Sequence, residues 1–122
     1  MLPRINRVKK KKDFEVIFKK GASFRNDLFI LRFIKNDLDY NRFGFVVSQK
    51  VSKKATERNK IRRRLSEIIK AELKNIYATR CKQNNFDLVV ISLPNAAKKD
   101  FSDFKKAFES LLVKAKIITK AL

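Results

Sequence analysis

The 122-residue sequence has no histidine, no tryptophan, one cysteine and two glycines. Without histidine it lacks the one side chain whose ordinary pKa suits a general base near neutral pH. Cys81 cannot form a disulfide within the chain, which fits a reducing compartment, and a lone thiol with no imidazole reads as structural. Two glycines cannot build a glycine-rich phosphate loop. No apolar run approaches the ~18 residues of a membrane span. The N-terminus MLPRINRVKKKK has no apolar core of the signal-peptide kind, so a cytoplasmic protein without membrane association is expected. Acids are scarce and scattered: Asp37 and Asp39 fall in a turn, Asp100 and Asp103 at a helix start. Metal-dependent phosphodiester cleavage needs clustered carboxylates, so neither a catalytic residue nor a protein-held metal is expected.

Base, by contrast, is plentiful. Lys and Arg number 31 against 12 Asp and Glu, a formal charge of +19. Such an excess repels itself unless a polyanion neutralises it, and nucleic acid or an anionic membrane surface could do so. A hydrophobic content of 44% with eleven Phe rules out wholesale disorder, and the length suits one domain over residues 1–122.

Residues 4–12, RINRVKKKK, hold Arg4, Arg7, Lys9, Lys10, Lys11 and Lys12 with no acid, and residues 1–8 read as a flexible basic arm. Asp13 is placed to cap a short helix, FEVIFKK, that Gly21 stops. LFILRFIK (28–35) has high β-propensity, NDLDYN (36–41) reads as a turn, and RFGFVVSQ (42–49) completes an expected hairpin. Gly44 marks a bulge or a close approach. A long helix is expected from an N-cap at Thr56 to about Thr79, with Ile61, Leu65, Ile68, Ile69, Leu73 and Ile76 on one stripe. FDLVVISL (86–93) is continuously apolar, as in a strand covered on both faces, and Pro94 and Asn95 end it. Asp100 caps a last helix carrying Phe101, Phe104, Phe108, Leu111, Leu112, Ala115 and Ile118 at helical spacing. Helix, two or three strands, helix, strand, helix describes an α+β fold, a sheet with helices against one face.

Residues 50–64, KVSKKATERNKIRRR, concentrate Lys50, Lys53, Lys54, Arg58, Lys60, Arg62, Arg63 and Arg64 against Glu57 alone. Cations at a helix N-terminus oppose the helix dipole, whereas an anion there is favoured, so the pattern points to bound phosphate. Arg58 lies on the apolar stripe one turn before Ile61, at the edge of the core, where a planar guanidinium can meet phosphate or base. Asn59 adds a donor and an acceptor that a purely electrostatic patch does not need. Phe14 and Phe18, four apart on the first helix, are either core or an aromatic platform for unpaired bases among Lys10–Lys12, Lys19 and Lys20.

With GFVVSQKVSKKAT before it, ERNKIRRRLSE resembles the signature of the bacterial ribonuclease P protein subunit. The start, RINRVKKKKDFEVIFKKG, is similar to that family's basic segment followed by Asp-Phe-x-x-x-Phe-x-x-Gly. The end, an apolar strand leading through Pro94 to DFSDFKKAFESLL, agrees as well. The resemblance implies a small mixed sheet of about four strands in the order α-β-β-β-α-β-α, with a left-handed βαβ crossover, like a ribosomal protein domain. It implies a subunit that binds the catalytic ribonuclease P RNA, one protein per RNA. It further implies contact with the single-stranded 5′ leader of precursor tRNA, while the RNA performs the cleavage with Mg2+. Carried over to this chain, the RNA-binding residues are Lys50, Lys53, Lys54, Arg58, Asn59, Lys60, Arg62 and Arg63. Those of the leader cleft are Phe14, Phe18 and Arg32, and the basic arm joins them. Three positions depart from the pattern: Lys60 replaces an Arg, Gln49 a Lys, and Ser66 an Arg found in many members. A ribosomal or ribosome-assembly RNA-binding protein is the alternative, and a DNA-binding module ranks third.

Overall fold

The strand that is apolar on both sides takes the middle of the sheet. In the computed structural model, which describes residues 6–38, 40–79 and 85–114 (the backbone alone for 72–79 and 85), the elements are α1 (Lys11–Lys20), β1 (Ala22–Arg25), β2 (Phe29–Asn36), β3 (Arg42–Val46), α2 (Ala55–Thr79), β4 (Asn85–Ser92) and α3 (Phe101–Lys114). A short 3-10 turn, Pro94–Lys98, precedes α3. The sheet order is β1-β2-β4-β3, with β2 antiparallel to β1 and β4, and β3 parallel to β4. The fold is α+β, with a four-stranded mixed sheet and three helices among the described residues, in the element order expected from the sequence.

Two expectations are corrected. β2 and β3 form no hairpin, because β4 inserts between them and pairs with both. The reason lies in β4 itself: Leu88, Val89 and Val90 are all buried, so the strand needs a neighbour on each edge and a helix layer on each face. β1 serves as an edge, with exposed Ala22, Ser23 and Arg25. Nor do the helices share one face. α2 and α3 cover the side carrying Phe29, Leu31, Phe43, Leu88 and Val90, while α1 lies on the other with Val8, Ile17 and Val89.

The alternation read in 42–47 holds, since Phe43 and Val47 enter the main core and Val46 joins the α1 side. On α2, Ile61, Leu65, Ile68 and Ile69 are buried as the stripe predicts; the side chains of Leu73 and Ile76 lie outside the described residues. Each such burial contributes roughly 2 kcal/mol. On α3, Phe104 and Phe108 pack on Phe29 at centroid distances of 5.3 and 6.3 Å, and Phe101 is exposed. Ala115 and Ile118 lie outside the described residues, as does Cys81. Asp100 caps α3 through a reciprocal pair: the Asp103 N–H donates to Asp100 Oδ1 at 3.0 Å and the Asp100 N–H to Asp103 Oδ2 at 3.4 Å. The Asp103 N–H bond holds the Asp100 carboxyl below the usual carboxylate range.

Caps elsewhere differ from expectation. α1 starts at Lys11, so Asp13 sits inside its first turn and is free to pair across to the sheet. α2 starts at Ala55, which puts Thr56 inside the helix. Gly21 does end α1, but in extended backbone rather than a left-handed turn. Glycine is needed there for proximity: an added Cβ would collide with the Ile17 carbonyl oxygen and lie 2.9 Å from that of Phe33. Neither backbone group can move cheaply, so Gly21→Ala should cost about 2 kcal/mol in denaturant unfolding, and a loss under ~0.5 kcal/mol would refute the close approach. Residues 6–8, read with the basic arm, are held against the sheet. Val8 N–H donates to Phe43 O at 2.8 Å, Arg7 bridges to Phe43, and buried Asn6 donates to Asn41 O at 2.7 Å, so residues 6–8 run along β3. Arg4 lies outside the described residues, and Lys11 and Lys12 belong to α1.

Candidate nucleic-acid interface

Two apolar residues hold the basic loop in place. Val47 and Val51 are buried in the main core, and between and beyond them Ser48, Gln49, Lys50, Lys53 and Lys54 are exposed. The loop is ordered by its own serines: Lys50 N–H donates to Ser48 Oγ at 3.3 Å and Lys54 N–H to Ser52 Oγ at 3.2 Å. Ser52 Oγ donates in turn to Glu57, so the one nearby acid is turned toward the loop. Arg58 is half-buried and donates from Nη1 to Ser52 O at 3.0 Å, tying the loop to the first turn of α2. It occupies the core edge, as its place on the stripe required.

Helical spacing then divides the remaining cations, since residues three and four apart share a flank. Thr56, Asn59, Arg62, Arg63 and Ser66 line an open depression of about 430 Å³. Asn59 Oδ1 accepts from Arg62 Nη1 at 2.8 Å, and Arg62 Nη2 donates to Val47 O at 3.3 Å, so this guanidinium is aimed by two bonds before any ligand arrives. Lys60 is exposed on another flank, one turn before Arg64. Arg64 turns away from the interface altogether: it donates to Lys99 O at 3.3 Å and lies 5.7 Å from the Phe104 ring centroid, pinning α2 to the start of α3. The eight cations of residues 50–64 therefore do not form one set.

Phe14, Phe18 and Arg32 do come together, on the opposite face of the sheet. Phe14 is half-buried over Gly44, where an added Cβ would meet its ring at 2.8 Å; this is the close approach foreshadowed by that glycine. Phe18 is 39% exposed. The two rings stack at 6.4 Å, and Arg32 lies 5.9 Å from the Phe18 centroid while donating to Phe18 O at the end of α1. Phe14 is thus packed against the sheet, while the Phe18 ring keeps an exposed face. By register, Arg25, Ile30, Ile91 and Val46 form the next row across the sheet, and all keep some exposure beside α1.

One group escaped the sequence reading. Arg42 forks onto Asp87, Nε to Oδ1 at 2.8 Å and Nη2 to Oδ2 at 2.5 Å, and reaches Asp13 of α1 at 3.3 Å; Asn36 also donates to Asp87 at 2.8 Å. The Asp87 hydrogen bonds, outweighing partial burial, raise the Arg42 guanidinium above its ordinary pKa. The available signal was Asp87 itself, a lone charge inside an apolar strand, which implies a buried partner.

The ribonuclease P family model matches residues 2–116. The chain belongs to the ribonuclease P protein family. Among curated relatives, the ribonuclease P protein component of Synechocystis is 35% identical over 118 residues, covering 96% of this chain and 90% of its own. That of Thermotoga petrophila is 38% identical over 110 residues, covering 89% and 88%. Solved structures agree. The RNase P protein of Staphylococcus aureus superposes with a TM-score of 0.83 at 31% identity, covering 93% of this chain and 98% of that one. The Thermotoga maritima RNase P protein gives 0.75 at 35%, covering 88% and 96%. Among the described residues of this family member, no helix is long and apolar enough to cross a membrane.

Proposed function

We propose that this chain is the protein subunit of the ribonucleoprotein endoribonuclease ribonuclease P, acting in the cytoplasm to help remove the 5′ leader from precursor tRNA. The observation that carries this reading is the display of cations at the α2 N-terminus: Lys50, Lys53, Lys54 and Arg63 are exposed on a loop and turn held by buried Val47 and Val51. Together with Arg58, Asn59, Lys60 and Arg62 they bind the catalytic RNA, one protein per RNA. Phosphates supply the affinity, and the pre-aimed Arg62 guanidinium supplies orientation. The leader, a single strand, lies across the row of Ile30, Ile91 and Val46 with a base against exposed Phe18 and a phosphate near Arg32. The proposal assigns the Mg2+ used in cleavage to the RNA.

Reconstitution tests the proposal. The purified chain alone should leave precursor tRNA intact. Adding it to a bacterial ribonuclease P RNA at low magnesium should raise 5′ cleavage at least about tenfold over the RNA alone, some 1.4 kcal/mol of barrier. Cleavage by the protein without RNA, or no gain over the RNA alone, would defeat it.

A further inference from the structure

α1 is a helix of ten residues with a single fully buried side chain, Ile17. A helix that short is marginal by itself, and only Ile17 and the half-buried Phe14 pack it on the sheet. Polar contacts at both ends then add to that packing. At the C-terminal end, Arg32 of β2 donates to Phe18 O. At the N-terminal end, Arg42 of β3 reaches Asp13 at 3.3 Å. Arg42 is not free to follow the helix, because its fork on Asp87 fixes it to β4, the central strand. Asp13 adjoins Phe14, whose ring stacks on Phe18 at 6.4 Å. Any lift of α1 at Asp13 therefore moves both rings relative to the row of Ile30, Ile91 and Val46.

We propose that Asp13 and Arg42 are positioning residues of the leader site: the Asp13–Arg42–Asp87 chain sets how far α1 stands off the sheet, and so the gap that accepts a single strand. This rests on the leader reading given above. Neither residue needs to touch RNA. The ion pair closes the site at one end while the exposed Phe18 edge stays open.

Asp13→Asn tests this in the reconstituted holoenzyme, because it removes the α1 arm and leaves the Arg42–Asp87 fork intact. The readout is the preference for precursor tRNA with a leader over mature tRNA. It should fall roughly three- to fivefold, the size of a part-buried ion pair, with affinity for the catalytic RNA unchanged. Asp13→Glu should restore the preference. In an Arg42→Gln background Asp13→Asn should add nothing; an additive loss means Asp13 acts only through the helix dipole, and the clamp is wrong. Phe18→Ala is measured alongside. If it lowers the leader preference and Asp13→Asn does not, the clamp is overturned and the leader site stands. If neither variant lowers it, both fall.

Discussion

Replacing Asp87 by alanine should destabilise the protein by about 3 kcal/mol, the low end of the range for breaking a buried ion pair by removing one partner. Three hydrogen bonds end on this carboxylate, two from Arg42 and one from Asn36, and its side chain is only 8% exposed. Without it, a guanidinium with 21% exposure keeps only the longer contact to Asp13, and the Asn36 Nδ2 donor keeps only a 3.3 Å bond to Tyr40 O. For a domain of this length the melting temperature should drop by roughly 10–15 °C. The double variant Arg42→Met/Asp87→Leu should recover most of the loss, since an apolar pair carries no desolvation penalty. It would still lack the arm to Asp13, so a stable double variant with poor leader preference would separate the two roles of the network. If Asp87→Ala melts with the parent protein, the network is not holding the sheet.

The double variant Arg62→Ala/Arg63→Ala should weaken binding to the catalytic RNA about a hundredfold at moderate salt and flatten the log–log salt dependence by roughly 1.5 to 2. Both arginines line the depression beside Asn59, on a flank of α2 between the buried Ile61 and Leu65. Arg64→Ala is the control from the same helix. Its guanidinium is spent on Lys99 O and the Phe104 ring, so it should lower the melting point and leave the salt slope alone. If Arg64→Ala flattens the slope as much as Arg63→Ala does alone, the division of this arginine run is mistaken.

How much of this was legible beforehand depends on the range of each interaction. The stripe Ile61, Leu65, Ile68 and Ile69 and the arginine turn before it follow from a 3.6-residue period, which any window of the sequence contains. The same is true of α3 and its Asp100 cap, and of β4, where the apolar run from Leu88 to Ile91 announced a strand covered on both faces. Asn59 was read as a group for the partner. In the fold its Oδ1 also accepts from Arg62, a contact three residues away that spacing permits but does not select. Gly44 was marked as a close approach, yet nothing local named Phe14, thirty positions earlier, as what approaches.

The elements, their order, the excess of positive charge and the turn of α2 where that charge leaves the core can all be read along the chain. Each is a property of neighbours along the chain, expressed as period, composition or capping. Only the tertiary structure decided that β4 lies between β2 and β3, that α1 takes the face opposite α2 and α3, and that Arg32, Arg42 and Arg64 hold the fold while Arg63 faces outward. An arginine carries the same charge in all of these places. What separates them is the acceptor within reach (Asp87, Phe18 O, Lys99 O), and in each case packing brings that acceptor from another element.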